Sequence, residues 1–195
     1  MIIGITGGTG CGKTTALAAI KELGGVVIDC DKVYHELLKT DSSLLATIEN
    51  RFPGVVEDGV LNRKKLGSIV FSDKNALQDL NTITHSAVRE KVLSILVKNP
   101  TLVAIDAIEL FDGGLAKLCD VTVAVTAPEN DRLLRITVRD SISRDQALQR
   151  IRAQKLENYF REKCDYTLEN NGTAEEFRKK CLLFFQDLLI IKENP

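Results

Sequence analysis

Short apolar runs separated by amphipathic stretches set the frame of this 195-residue chain. Residues 2–5 (Ile-Ile-Gly-Ile), 26–28 (Val-Val-Ile), 102–105 (Leu-Val-Ala-Ile) and 121–125 (Val-Thr-Val-Ala-Val) are brief, mostly β-branched and bounded by turn formers, the pattern of buried parallel strands. A weaker fifth run lies at 166–168 (Tyr-Thr-Leu). After the first run, Ala16, Ala19 or Ile20, and Leu23 fall on one helical stripe that stops at Gly24 and Gly25. Strand, helix and strand therefore follow within thirty residues, the unit of a parallel sheet with a right-handed crossover.

From about 31 to 99 the period changes. Leu37, Leu38, Leu44, Leu45, Ile48 and Phe52 recur at helical spacing, as do Leu77, Leu80, Ile83, Val88, Val92 and Leu96. This predicts a helical insertion without strands. Residues from about 129 to 163 predict an arginine-rich helical lid, with Asp140, Ser141 and Ile142 as the turn between two helices. Ser143 with Gln146 has the spacing of a capping box, and so has Thr173 with Glu176.

The turn after the first run carries the chemistry. Gly7-Gly8-Thr9-Gly10-Cys11-Gly12-Lys13-Thr14 reads G-x-x-x-x-G-K-T between a strand and a helix, which is a phosphate-binding P-loop in its expected context. Glycines let consecutive backbone N–H groups converge on a polyphosphate, and the helix N-terminus behind them adds its own donors and dipole. Gly8, Gly10, Cys11, Gly12, Lys13, Thr14 and Thr15 are the expected nucleotide cradle, with Lys13 reaching the terminal phosphates and Thr14 placed to ligate Mg²⁺. Near a helix N-terminus the Cys11 thiolate is expected to be favoured. The fold class expected is α/β: one P-loop NTPase-type domain over 1–195, with a five-stranded parallel sheet flanked by helices, a substrate insertion and a lid.

Further candidates follow from position. Asp29 and Asp31 end the second apolar run, at the carboxyl edge where ligands bind open parallel sheets; as strand residues two apart they are expected to face one way. Either could cap the next helix, accept a proton from an attacking hydroxyl or help hold Mg²⁺ through water. Asp106 follows the third run as a Walker-B acid does, a second candidate for Mg²⁺. Arg132, Arg135 and Arg139 share a helix face, and Arg139, at the helix end beside Asp140, is the expected lid cation on the transferring phosphate. In the insertion Asn62, Arg63, His85 and Arg89 stand out: the arginines suit bidentate contacts to a substrate phosphate, and His85 shares a helix face with Arg89 in either a structural or a binding role.

Composition narrows the classes. A net charge of −1 gives no basic field for nucleic acid, and five scattered cysteines with two histidines suggest reduced thiols in a cytoplasmic protein rather than a zinc site. No apolar run approaches a membrane span. The guanine-specifying Asn-Lys-x-Asp is absent. A small-molecule kinase, a nucleoside monophosphate kinase among the options, fits better than a GTPase or transporter ATPase, and a nonenzymatic ATP-sensing module is a further alternative.

The chain also resembles the dephospho-coenzyme A kinases nearly end to end. The likeness runs through residues 4–15, Val27-Ile28-Asp29-Cys30-Asp31, Asp58-Gly59-Val60-Leu61-Asn62-Arg63, Val70-Phe71, His85, Arg89, 106–115, Arg135, Arg139-Asp140, Arg150-Ile151, Gln154, Asp165-Tyr166 and Asn170-Asn171-Gly172. It implies transfer from ATP, with Mg²⁺, to the ribose 3′-hydroxyl of dephospho-CoA, a small-molecule acceptor near Asp31. Ser86 stands where the family usually has proline after its histidine, Cys11 where serine is common, and Ile108-Glu109-Leu110 where it has Pro-Leu-Leu.

Overall fold

The computed structural model describes residues 1–98 and 101–193. Asn99, where the insertion is expected to end, lies outside them. The described chain divides into two compact units: Met1–Ile28 with 101–111 and 115–193 form the first, and Asp29–Lys98 with Asp112–Gly114 the second.

The first unit is built on a five-stranded sheet in the order β2-β5-β1-β6-β7, formed by β1 (Ile2–Thr6), β2 (Val26–Asp29), β5 (Val103–Asp106), β6 (Val121–Thr126) and β7 (Tyr166–Glu169). The pairs β1–β5, β1–β6 and β6–β7 are parallel. The central β1 is buried from Ile3 to its end, which is why its sequence reads as a continuous apolar run rather than an alternating one. Helix α1 (Lys13–Glu22) stops in a Schellman turn: the Gly25 N–H donates to Ile20 O at 2.9 Å and the Gly24 N–H to Lys21 O at 3.0 Å, with Gly24 at φ +81°. The long α9 (Ala174–Glu193) packs along α1, and its Phe177, Cys181, Phe185 and Leu188 share one core with Ala16, Ala19, Ile20, Ile3 and Val125.

Three helices stand where the arginine-rich lid is expected: α6 (Glu129–Asp140), α7 (Arg144–Arg152) and α8 (Glu157–Lys163). Ser141 at φ +52° makes the α6–α7 turn, and Ser143 and Gln146 close the capping box. Leu133 and Ile136 of α6 meet Ala147 and Ile151 of α7 in a small core of their own.

The second unit comprises α2 (Cys30–Thr40), α3 (Ser42–Arg51), α4 (Arg63–Val70) and α5 (Lys74–Leu96). Asp41 ends α2 and caps α3, accepting from Ser43 N and Leu44 N at 3.0 Å. Contrary to the all-helical expectation, a hairpin of β3 (Val56–Glu57) and β4 (Val60–Leu61) interrupts the helices. Its turn is Asp58-Gly59, both at positive φ (51° and 77°), the type I′ geometry that Asp-Gly favours.

Candidate active site

The phosphate loop joins β1 to α1 and is held from outside by the following chain. Three consecutive carbonyls are turned away from its interior: Thr9 O accepts from Arg132 Nε at 2.9 Å, Gly10 O from Arg135 Nη1 at 3.2 Å, and Cys11 O from Asn170 Nδ2 at 2.9 Å. Arg135 Nη2 reaches Asn170 Oδ1 at 3.2 Å, so two of the three clamps are linked. The Thr9 N–H donates to Gln154 Oε1 at 2.8 Å. Peptides with their carbonyls held outside present the next N–H groups inward, the arrangement an anion needs.

The glycines are explained by these neighbours. A Cβ on Gly7 would strike Val125 O, one on Gly8 would strike Arg132 Nη2, and one on Gly12, at φ +103°, would strike Asn170 Nδ2. Gly12 is also the residue preceding α1, so the helix N-terminus opens directly onto the loop. Lys13, in the first turn, donates from Nζ to Gly7 O at 2.9 Å. Thr14 is exposed and Thr15 half-buried beside it. Asp106 ends β5 in register with Ile5 of β1, next to the start of the loop. Arg139 makes a two-point ion pair with Asp140, at 2.7 and 3.0 Å, while its Nη2 lies 3.5 Å from Thr9 Oγ1. Arg150 holds the same carboxylate at 2.6 Å, and hydrogen bonding to Asp140 raises the Arg139 pKa.

Two expectations need correcting. Cys11 is 3% exposed, and burial pushes its thiol pKa up despite the nearby Arg132 and Lys13, so the helix N-terminus does not create a ready thiolate. Asp29 and Asp31 are not two residues of one strand. The chain turns helical at Cys30, Asp29 caps α2 by accepting from Lys32 N at 3.0 Å, and Asp31 sits exposed in the first helical turn.

In the second unit Arg63 is exposed at the start of α4, with Nη2 3.5 Å from His35 Nδ1. Asn62 caps that helix, accepting from Lys65 N at 3.1 Å. His85 is half-buried on α5, and Arg89, one turn on, is exposed. Burial lowers the His85 pKa, opposed by Asp112. The loop 108–110 that departs from the family pattern is anchored: Leu110 is fully buried, and Thr6 Oγ1 donates to Ile108 O at 3.1 Å.

The residues that sequence reasoning left without a task are Arg132, Gln154 and Asn170. Their signal was weak, since only the fold brings positions 132–170 to residues 8–12. The profile of the dephospho-CoA kinase family matches residues 1–176. The chain belongs to that family. A dephospho-CoA kinase of Carboxydothermus hydrogenoformans is 34% identical over 191 residues, covering 95% of this chain and 93% of that one. Among solved structures, a Thermus thermophilus protein superposes with a TM-score of 0.79 at 31% identity, over 96% of this chain and 97% of that one. Dephospho-CoA kinase from Campylobacter jejuni gives 0.70 at 26% identity, over 98% of both chains. Membership in the dephospho-CoA kinase family assigns the reaction class, ATP-dependent phosphorylation of dephospho-CoA in coenzyme A synthesis. No helix among the described residues is long and apolar enough to cross a membrane.

Proposed function

We propose that the loop of residues 8–15 binds the polyphosphate of ATP and that the chain transfers the γ-phosphoryl group to the ribose 3′-hydroxyl of dephospho-CoA. The observation that carries this reading is the loop whose three outward carbonyls are clamped by Arg132, Arg135 and Asn170. Phosphoryl transfer asks for little covalent chemistry from a protein, and a preformed set of donors supplies most of what it does ask.

Lys13 exchanges Gly7 O for the terminal phosphates, and Arg139, already steadied by Asp140, meets the charge that develops on the transferring group. Asp31 orients the acceptor hydroxyl and takes its proton. Arg63, His85 and Arg89 bind the acceptor's phosphate groups and adenosine, and Asn62 serves by fixing the start of α4 and hence Arg63. The residues also fit Mg²⁺. Thr14 offers a hydroxyl at the loop's exit and Asp106 a carboxylate beside its entrance. The described residues contain no cluster of three His, Cys, Asp or Glu that would bind a metal unaided. That suits an ion taking most of its ligands from phosphate and water. When bound it would neutralise charge on the β- and γ-oxygens. The five free cysteines suit a reducing cytoplasm.

The test is ADP release with a panel of acceptors. Dephospho-CoA is expected to exceed AMP, CMP and adenosine by orders of magnitude in kcat/KM. Faster turnover of AMP or CMP would move the chain to the nucleoside monophosphate kinases, and ADP release indifferent to any acceptor would remove the transfer reading.

A further inference from the structure

On the outer side of the phosphate loop lies a buried arginine with an unsatisfied donor. Arg132 is 7% exposed, and among the described residues its Nη2 is a buried nitrogen with no hydrogen-bond partner. The guanidinium lies in the space a Gly8 side chain would need, Nε is bonded to Thr9 O at 2.9 Å, and the Arg132 carbonyl stands 2.9 Å from where a Cβ on Gly10 would be. Three successive loop residues thus rest on one arginine. The other arginines near the loop are differently placed. Arg135 donates to Gly10 O and Asn170 Oδ1, and Arg139 is paired with Asp140. A buried cation held by a neutral carbonyl is costly unless an anion answers it.

We propose that Arg132 is a nucleotide-positioning residue, which turns the Thr9 carbonyl outward and sets a fixed positive charge behind the phosphate seat, answered when a nucleoside triphosphate occupies the loop. This rests on the reading that the loop holds ATP. Nη2 does so without touching the nucleotide, being shielded from solvent behind Gly8.

Calorimetric titration of the full chain with MgATP, MgADP and dephospho-CoA tests it, using wild type, Arg132→Gln and Arg132→Lys. Gln keeps an amide donor for Thr9 O but removes the charge, whereas Lys keeps the charge and loses the fork. Arg132→Gln is expected to weaken MgATP binding about ten- to a hundredfold, the scale for removing a fixed charge close to the phosphates. MgADP is expected to lose less and dephospho-CoA nothing; Arg132→Lys should recover most of the loss. In turnover assays the KM for ATP should rise more than kcat falls. MgATP binding by Arg132→Gln at wild-type strength would overturn the proposal, as would equal losses for all three ligands or a Lys variant no better than Gln. If Arg132→Gln does not fold, Arg132→Lys decides alone: near-wild-type MgATP affinity supports the charge, and a loss of tenfold or more refutes it. Wild-type protein that binds no MgATP would instead sink the assignment of the loop itself.

Discussion

Asp31, proposed to act on the acceptor hydroxyl, stands in a helix rather than a strand. Its neighbour Asp29 is engaged in capping α2, whereas Asp31 is exposed in the first turn of that helix. Replacing it by Asn preserves shape and removes basicity, so turnover should fall by about 10² to 10⁴ while ATP affinity stays near its original value. Steady-state kinetics decide, and unchanged turnover would assign the proton to another group. His85 makes a prediction of a different kind. Burial disfavours its charged form, so its folded pKa lies below the ordinary 6.5, and the unfolded chain takes up that proton first as pH falls. The associated stability is full above about 6.5 and is lost as pH drops through 6.5 toward the lower folded value. Urea midpoints for wild type should therefore decline between pH 7 and pH 5 more steeply than those of His85→Gln, and parallel declines would show that His85 titrates normally.

Helix ends and strand ends decide where those residues stand. The capping box at Ser143, the Gly24-Gly25 stop and the five strands were legible because each rests on local rules: a side-chain cap, a left-handed glycine, a run of β-branched residues. The β3–β4 hairpin was missed although Asp58-Gly59 between Val56-Glu57 and Val60-Leu61 is its signal, since two-residue strands are too short to break a helical period. The turn from strand to helix at Cys30 was missed for a similar reason: a small difference in a boundary moves Asp31 from a strand into the first turn of a helix. The clamps were beyond local reading altogether. Asn170 follows β7, is 5% exposed, and satisfies both Cys11 O and Arg135 Nη2. Asn170→Ala would leave both unpaired in a buried place. It should cost about 1–3 kcal/mol in unfolding free energy and raise the KM for ATP, as measured by denaturant titration and kinetics. A variant of unaltered stability would show that water replaces the amide.

On the proposed reading the phosphate loop and its clamps belong to one compact unit and the candidate acceptor residues to the other. Arg89→Ala, on the exposed face of α5, should raise the KM for dephospho-CoA and erode its preference over AMP, with the KM for ATP little changed. A matching rise for both substrates would contradict that division. The loop itself has a history written into its clamps. Its signature is complete by Thr14, and β1 is the first strand synthesised, yet β1 must wait for β5 and β6, and the carbonyls of Thr9, Gly10 and Cys11 for Arg132, Arg135 and Asn170. A ribosome that has released the motif has released none of its supports. Affinity for nucleotide is thus among the last properties the nascent chain acquires, and ATP can reward only a chain that has folded through residue 170.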